Sequence, residues 1–255
     1  MISPVPVPSP HSLVVSAVFA GPIRTLQSPR EPGAASTAWR SAILKSRLDA
    51  PVHVGSLGLA GDAQKEKKHH GGPTKAVLVY GASRYSELWD AALRPHAEEH
   101  AEALRTMSSD VDASAYGFGA FGENITVHGL DERTVYVGDV WQIGACKLQI
   151  TEPRGPCATL TRRWMRPVLR DEVTATAAAG WYNAVQTPGR IQVGDAITLV
   201  ERVQDQWTLE RVFHLLEQRV VSRTEVLALR DTACTHEGLR ERLNRRLLTP
   251  GRTRE

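Results

Sequence analysis

The chain has 255 residues, with 31 lysines and arginines against 28 aspartates and glutamates, for a formal net charge of +3. That length suits one large domain, or one domain with a small appendage, with enough apolar residues to build a core. So mild a charge argues against a nucleic-acid binder, no apolar run approaches a membrane span, and three widely spaced cysteines argue against a disulfide framework and for a reducing compartment.

Residues 1–12, MISPVPVPSPHS, are proline-rich and lack the basic start and apolar centre of a signal peptide. They are expected to be a disordered tail on a cytoplasmic protein. LVVSAVFAG (13–21) is rich in β-favouring residues and ends at Gly-Pro, so it reads as a first strand. STAWRSAILKS (36–46) fits either a short helix or a strand with a turn. PVHVGSLGLAGD (51–62) reads as a strand running into a glycine-rich turn, and KAVLVY (75–80) as a buried strand.

The period then changes. In residues 83–104, Tyr85, Leu88, Trp89 and Ala92 share one helical face, Ser83 or Ser86 can cap the start, and the helix must break near Pro95. Residues 107–124 read as loop. Two later stretches, 134–151 and 190–202, each carry a short apolar strand into a Val-Gly-Asp corner and out again. Glycine corners between short strands suggest a barrel or a strongly bent sheet. After Arg202 the spacing is helical in three successive segments. Ser222 and Glu225 have capping-box spacing, and Thr235 is placed to cap the last helix. The expected organisation is a tail over 1–12, a main domain over 13–203 and a three-helix extension over 204–255, the extension serving packing or dimerisation.

Three loops could carry chemistry. In EPRGPCATLTRRW, Pro153 and Pro156 stiffen the backbone around Cys157, while Arg154, Arg162 and Arg163 would favour a thiolate if they lie close. A thiolate can be a nucleophile, a redox centre or a soft-metal ligand, and a small buried residue in a tight corner is the plainer alternative. Cys146 and Cys234 read as that plainer kind. In KEKKHHGGPTK (65–75), His70, Gly71 and Gly72 sit within a lysine run, and their amides with Lys67, Lys68 and Lys75 could hold an anion. In AFGENITVHG (120–129), Glu123 could donate a proton and Asn124 could anchor a heterocycle, or the two could form an ordinary turn. One soft ligand, many anion donors and one acid suit a phosphorylated, metal-bearing organic cofactor better than a free ion.

Five ordered motifs carry a resemblance: GLAGD, HHGGPTKAV, AFGENITVHGL, VGDVWQIGACKLQITEPRGPC and GWYNAVQTPGRIQVGDAITLVER. Together they resemble the MOSC domain family, and more narrowly its 6-N-hydroxylaminopurine resistance branch, over about 13–203. The resemblance implies a mainly β, barrel-like domain with flanking helices and the branch's small C-terminal three-helix extension. It implies the molybdenum cofactor (molybdopterin), with Cys157 as the protein's ligand to molybdenum. It implies reduction of N-hydroxylated compounds, with electrons from a separate flavin or iron–sulfur protein. Residues expected to hold the cofactor are Lys45, His70, Gly71, Gly72, Lys75, Asn124, Arg154 and Cys157; those expected to act in catalysis are Cys157, Glu123 and His70, with the proton donor open between the last two. Thr74 and Glu66 stand where the family usually has aspartate, and SAILK (41–45) replaces its Thr-Gly-Ile-x-Lys. No nucleic acid and no membrane is expected as a partner, and a homodimer is expected from the helical extension and the family's habit. Two other readings remain: a module that binds or carries the cofactor without turnover, and a metal-free cysteine enzyme transferring sulfur.

Overall fold

The computed structural model describes residues 13–27, 38–67, 70–88, 117–164 and 166–254. The tail over 1–12, and Trp89, Ala92 and the break near Pro95, lie outside them. The chain enters on β1 (Val14–Ala20). An antiparallel pair, β2 (Arg24–Gln27) and β3 (Ala38–Ser41), is followed by the short β4 (Ser46–Arg47), so the described part of that segment, 38–46, resolves as strand and turn. Next come β5 (Val52–Gly55) and β6 (Gly58–Leu59), then β7 (Val77–Gly81), which leads into helix α1 (Ser83–Leu88). Strands β8 (Ile125–His128), β9 (Val140–Ile143) and β10 (Cys146–Pro153) come before helices α2 (Ala158–Trp164) and α3 (Val168–Thr176). After β11 (Trp181–Thr187), β12 (Gly189–Ile191) and β13 (Ile197–Glu201), the chain continues through α4 (Leu209–Glu217), β14 (Val221–Ser222), α5 (Arg223–Asp231), α6 (Glu237–Leu248) and β15 (Thr253–Arg254).

Eight strands form one sheet in the order β13-β9-β10-β11-β7-β8-β1-β4, antiparallel throughout except for the parallel β7–β8 pair. The domain is thus mainly β with flanking helices. Barrel-like is only a loose description, because the sheet is open. It curls far enough for β1 to meet the start of β13 at a single bridge, Val14 with Ala196, flanked by Val15 N donating to Asp195 O at 3.0 Å. The curl comes from the corners. Gly138 turns at φ 88°, and a Cβ there would lie 2.6 Å from Cβ of Cys234, so only glycine fits. Register shifts within β10–β11 and β1–β8 add to the bend.

Two apolar clusters fill the interior. One lies against the sheet and joins Val15, Val79, Ile125, Leu148 and Trp181 to Leu209, Val212, Leu229, Leu239 and Leu243 of the C-terminal helices. The other gathers Tyr80, Tyr85, Phe121, Leu160, Trp164 and Phe213 around α1, α2 and α3. Tyr80 stacks on Phe121 with centroids 4.6 Å apart, which anchors the 117–124 turn beneath the site. The three last helices form where apolar spacing and caps agree: the Thr208 hydroxyl accepts from Arg211 N and the Ser222 hydroxyl from Glu225 N. The last helix departs from expectation. His236 caps it through Nδ1, accepting from Gly238 N at 3.2 Å, while the Thr235 hydroxyl donates to Leu229 O at 2.6 Å. The buried hydroxyl shares Leu229 O, near the end of α5, with the Thr232 backbone N–H.

Candidate functional site

Strand β10 delivers Arg154 and Cys157 to one edge of a pocket of about 210 Å³. Arg154 N still bonds Gly180 O at 3.0 Å, so the sheet sets where the segment leaves it. Leu160 N then bonds Cys157 O at 3.0 Å as α2 begins, which ties the Cys157 backbone to the first turn of that helix. The half-buried Cys157 lines the pocket, and its Sγ lies 3.8 Å from His70 Nε2.

His70 comes from the other side. Its backbone N–H donates to Glu66 O at 2.8 Å, and Gly71 and Gly72 follow at φ 107° and 81°, a path that L side chains rarely take. Its Nδ1 hydrogen-bonds the hydroxyl of Tyr182 on β11. With the phenol donating to Nδ1, the imidazole carries its proton on Nε2, facing the sulfur. Burial pushes the Tyr182 phenol upward, so it stays a neutral donor.

Burial alone would raise the Cys157 thiol, but His70, the Arg154 guanidinium and Thr159 outweigh it and bring the group down to about 5. The thiolate therefore prevails at neutral pH. Arg154 is buried, donates from Nη1 to Phe121 O at 2.7 Å, and has an Nε with no partner among the described residues. Arg162 and Arg40 line the outer wall beside Trp39, whose ring carries the Arg162 guanidinium 5.1 Å from its centroid. Arg163 is turned away: it is buried against the carbonyls of Ile43 and Gly119, and burial pulls it down to about 10. It braces the fold and does not face the thiol as expected.

The expected cofactor-holding residues divide. Lys45, His70, Gly71, Lys75, Asn124, Arg154 and Cys157 all line the pocket; Gly72 and Lys67 do not, and Lys68 lies outside the described residues. Lys45 is buried and ion-paired with Asp62, and burial lowers its pKa. Lys75 is held at 3.0 Å by Glu152. The Asn124 amide is already committed, its Oδ1 accepting from Leu78 N and its Nδ2 donating to Phe19 O and Asp62 Oδ2. It orients Asp62 and the β7 edge and leaves little for a heterocycle.

Glu123 is not at the site. It is wholly buried, does not line the pocket, and accepts from Tyr85 Oη, Gly119 N, Thr126 Oγ1 and Phe121 N. The carboxylate knots the 117–124 loop from inside, which removes it as a proton donor to a ligand in the pocket. Three residues not singled out in the sequence matter instead. Asp62 collects Lys45, Asn124, Gln64 and Gly21 N; Tyr182 orients His70; Glu152 holds Lys75. Asp62 and Tyr182 stand inside quoted motifs, GLAGD and GWYNAV, but their roles depend on contacts distant in sequence.

Among the described residues no group of three or more His, Cys, Asp or Glu could hold a metal ion. The pocket offers one soft ligand and a cationic lining. A metal there needs most of its ligands from a bound organic group, and the partnerless buried Nε of Arg154 fits an anionic one.

Comparison with known proteins agrees. The residue pattern of the MOSC domain matches residues 66–198. Protein YiiM of Escherichia coli (strain K12) is 34% identical over 165 residues, covering 65% of this chain and 66% of YiiM. A Gibberella moniliformis (strain M3125 / FGSC 7600) protein named Reductase is 31% identical over 216 residues, covering 84% of this chain but only 34% of that protein. The chain therefore spans just under two thirds of the first relative and one third of the second. The crystal structure of YiiM from Geobacillus stearothermophilus shares the fold, with a TM-score of 0.65 at 21% identity over 92% of this chain and 99% of that one.

Proposed function

The chain belongs to the MOSC domain family and is of the YiiM type, and on that premise we propose that it is a molybdenum-cofactor-dependent reductase of N-hydroxylated compounds. The observation that carries the reading is the Cys157 thiolate, set in a cationic pocket where, among the described residues, no group of three or more protein ligands could hold a metal by itself. The name of the fungal relative supports the direction of the chemistry. When bound, the cofactor would supply a two-electron redox centre able to take up the oxygen of an N–O bond.

The chain's own residues would do the rest. Cys157 would ligate the metal as thiolate. Arg154, Lys75 and the outer Arg40 and Arg162 would hold the anionic parts of the cofactor and exclude competing solvent ions. Conversion of N–OH to N–H takes two electrons and two protons and releases water. His70 can hold a proton at Nε2 and exchange it at Nδ1 with the Tyr182 hydroxyl. Glu123 plays no part in that transfer.

Protein purified from cells with an intact pterin pathway should carry about one molybdenum per chain, and protein from pathway-deficient cells none. Cys157→Ser should lose both metal and N-hydroxyl reduction. Full molybdenum occupancy in that variant would overturn the ligand assignment. A second reading draws support from one contact, His70 at 3.8 Å from the thiol, which supplies the base that a metal-free cysteine nucleophile needs. Turnover in metal-free protein, blocked by alkylation of Cys157, would decide for it.

A further inference from the structure

Beyond the Arg154–Cys157 segment the C-terminal helices form a second concavity. It is a groove of about 390 Å³, lined by Arg170 from α3, Glu217 from α4, Arg245 and Arg246 from α6, and Arg252 beyond it. It shares no lining residue with the Cys157 pocket. Its one carboxylate, Glu217, is already held by Arg242 at 3.3 Å. Arg170, Arg245 and Arg252 are exposed, and none makes an ion pair among the described residues. Arg246 is buried, donates to Leu216 O and Gln218 O, and has an Nε without a partner among the described residues. The dipole at the end of α6 accounts for Arg245 and Arg246 but not for Arg170 or Arg252. The groove thus gathers four arginines from separate elements against one lining carboxylate, Glu217, which is shared with Arg242, and it complements a carboxylate-rich surface.

Its position gives that charge a meaning. A Cβ built on Gly155 would lie 3.4 Å from Glu217 Oε1 and 3.6 Å from Arg242 Nη2, so the groove wall abuts the residue two before Cys157. Arg242 also pairs with Glu152 at 2.5 Å, and the other oxygen of Glu152 holds Lys75 in the pocket at 3.0 Å. One chain of ion pairs therefore joins groove to pocket. Reduction of each N–OH consumes two electrons, and repeated turnover needs an external donor to replace them. We propose that this groove docks an acidic one-electron carrier protein, bearing flavin or an iron–sulfur centre, which gives up two electrons in successive encounters beside Cys157 while the pocket stays free for substrate. The proposal rests on the reductase reading above.

The test uses full-length, molybdenum-loaded protein and the Arg245→Glu/Arg252→Glu double variant, with two electron sources: a reduced acidic flavodoxin and reduced methyl viologen. In the variant the KM for flavodoxin should rise about tenfold or more and the salt dependence of kcat/KM should flatten, while the viologen-driven rate stays within about twofold of wild type. An unchanged KM for flavodoxin, or an equal loss with viologen, would overturn the proposal. If wild-type protein shows no turnover even with viologen, the reductase reading itself has failed. Calorimetric titration of metal-free protein with flavodoxin then decides the groove alone: binding lost in the variant supports it, whereas absent or equal binding sinks it. So does tight, variant-sensitive binding of a DNA duplex or inorganic phosphate when flavodoxin does not bind.

Discussion

Two thiols flank strand β10 and carry opposite acidities. Cys146, at its start, is buried in the apolar cluster, and burial, with Asp195 nearby, raises it to about 11. Cys157, past its end, meets His70 and Arg154 and falls to about 5 despite burial. In metal-free protein, iodoacetamide should therefore modify Cys157 at near-full rate down to about pH 6, slowing only toward pH 5, while Cys146 stays inert until the protein unfolds. His70→Ala should move the Cys157 midpoint upward by about one unit or more; an unmoved midpoint would show that the 3.8 Å contact does not matter to the thiolate. The same shift bears on stability. The folded pKa lies below the ordinary value of 9.0, so the thiolate's stabilisation is complete above about pH 9 and is lost as pH falls through about 5. Melting temperatures of metal-free wild type and Cys157→Ser should converge toward pH 5 and separate above it.

At the scale of the element, the 117–124 turn shows how a functional-looking motif can be structural. Gly-Glu-Asn promises an acid and an amide at a strand end, yet Glu123 and Asn124 both spend their hydrogen bonds on backbone and neighbours. Glu123→Gln should lower stability by about 2 kcal/mol, because one oxygen that accepts from buried donors becomes an amide nitrogen. Molybdenum content and the pH profile of turnover should stay close to wild type. A profile missing its acidic limb, with unchanged melting, would restore Glu123 as a proton donor. The strands themselves were legible. Runs of β-favouring residues bounded by glycine corners gave β1, β7, β9, β10 and β13, since alternation and turn chemistry act over a few residues. Thr235 was misread because two neighbouring side chains can each accept from the same helix start; the Thr235 hydroxyl donates instead to Leu229 O of α5, which leaves the cap to His236.

For the whole molecule, the C-terminal helices are not a detachable unit. Leu209, Val212, Leu215, Val226, Leu229, Leu239 and Leu243 belong to the same apolar cluster as the sheet, and the corner glycine Gly138 packs against Cys234. Each such side chain contributes roughly 2 kcal/mol by burial, so the seven together are comparable to the whole of a typical stability of about 5–15 kcal/mol. A chain ending at residue 204 should therefore be insoluble or unfolded by circular dichroism; a cooperative melt of that fragment would show that the sheet has a core of its own. The same helices supply Arg242, which holds Glu152 and through it Lys75, so they also brace one wall of the pocket.

The sequence by itself determined the short strands, the bent-sheet character, the helical end of the chain, the family and the thiol that lines the pocket, because each rests on local periodicity, turn chemistry or motif order. Tertiary structure alone decided which candidates meet. It set His70 on a cysteine 87 positions away, sealed Glu123, consumed Asn124, turned Arg163 inward and made Asp62, Tyr182 and Glu152 part of the site. A polar side chain shows its type in the sequence, but its partners, and hence its role, depend on which distant backbone the fold brings within three ångströms of it.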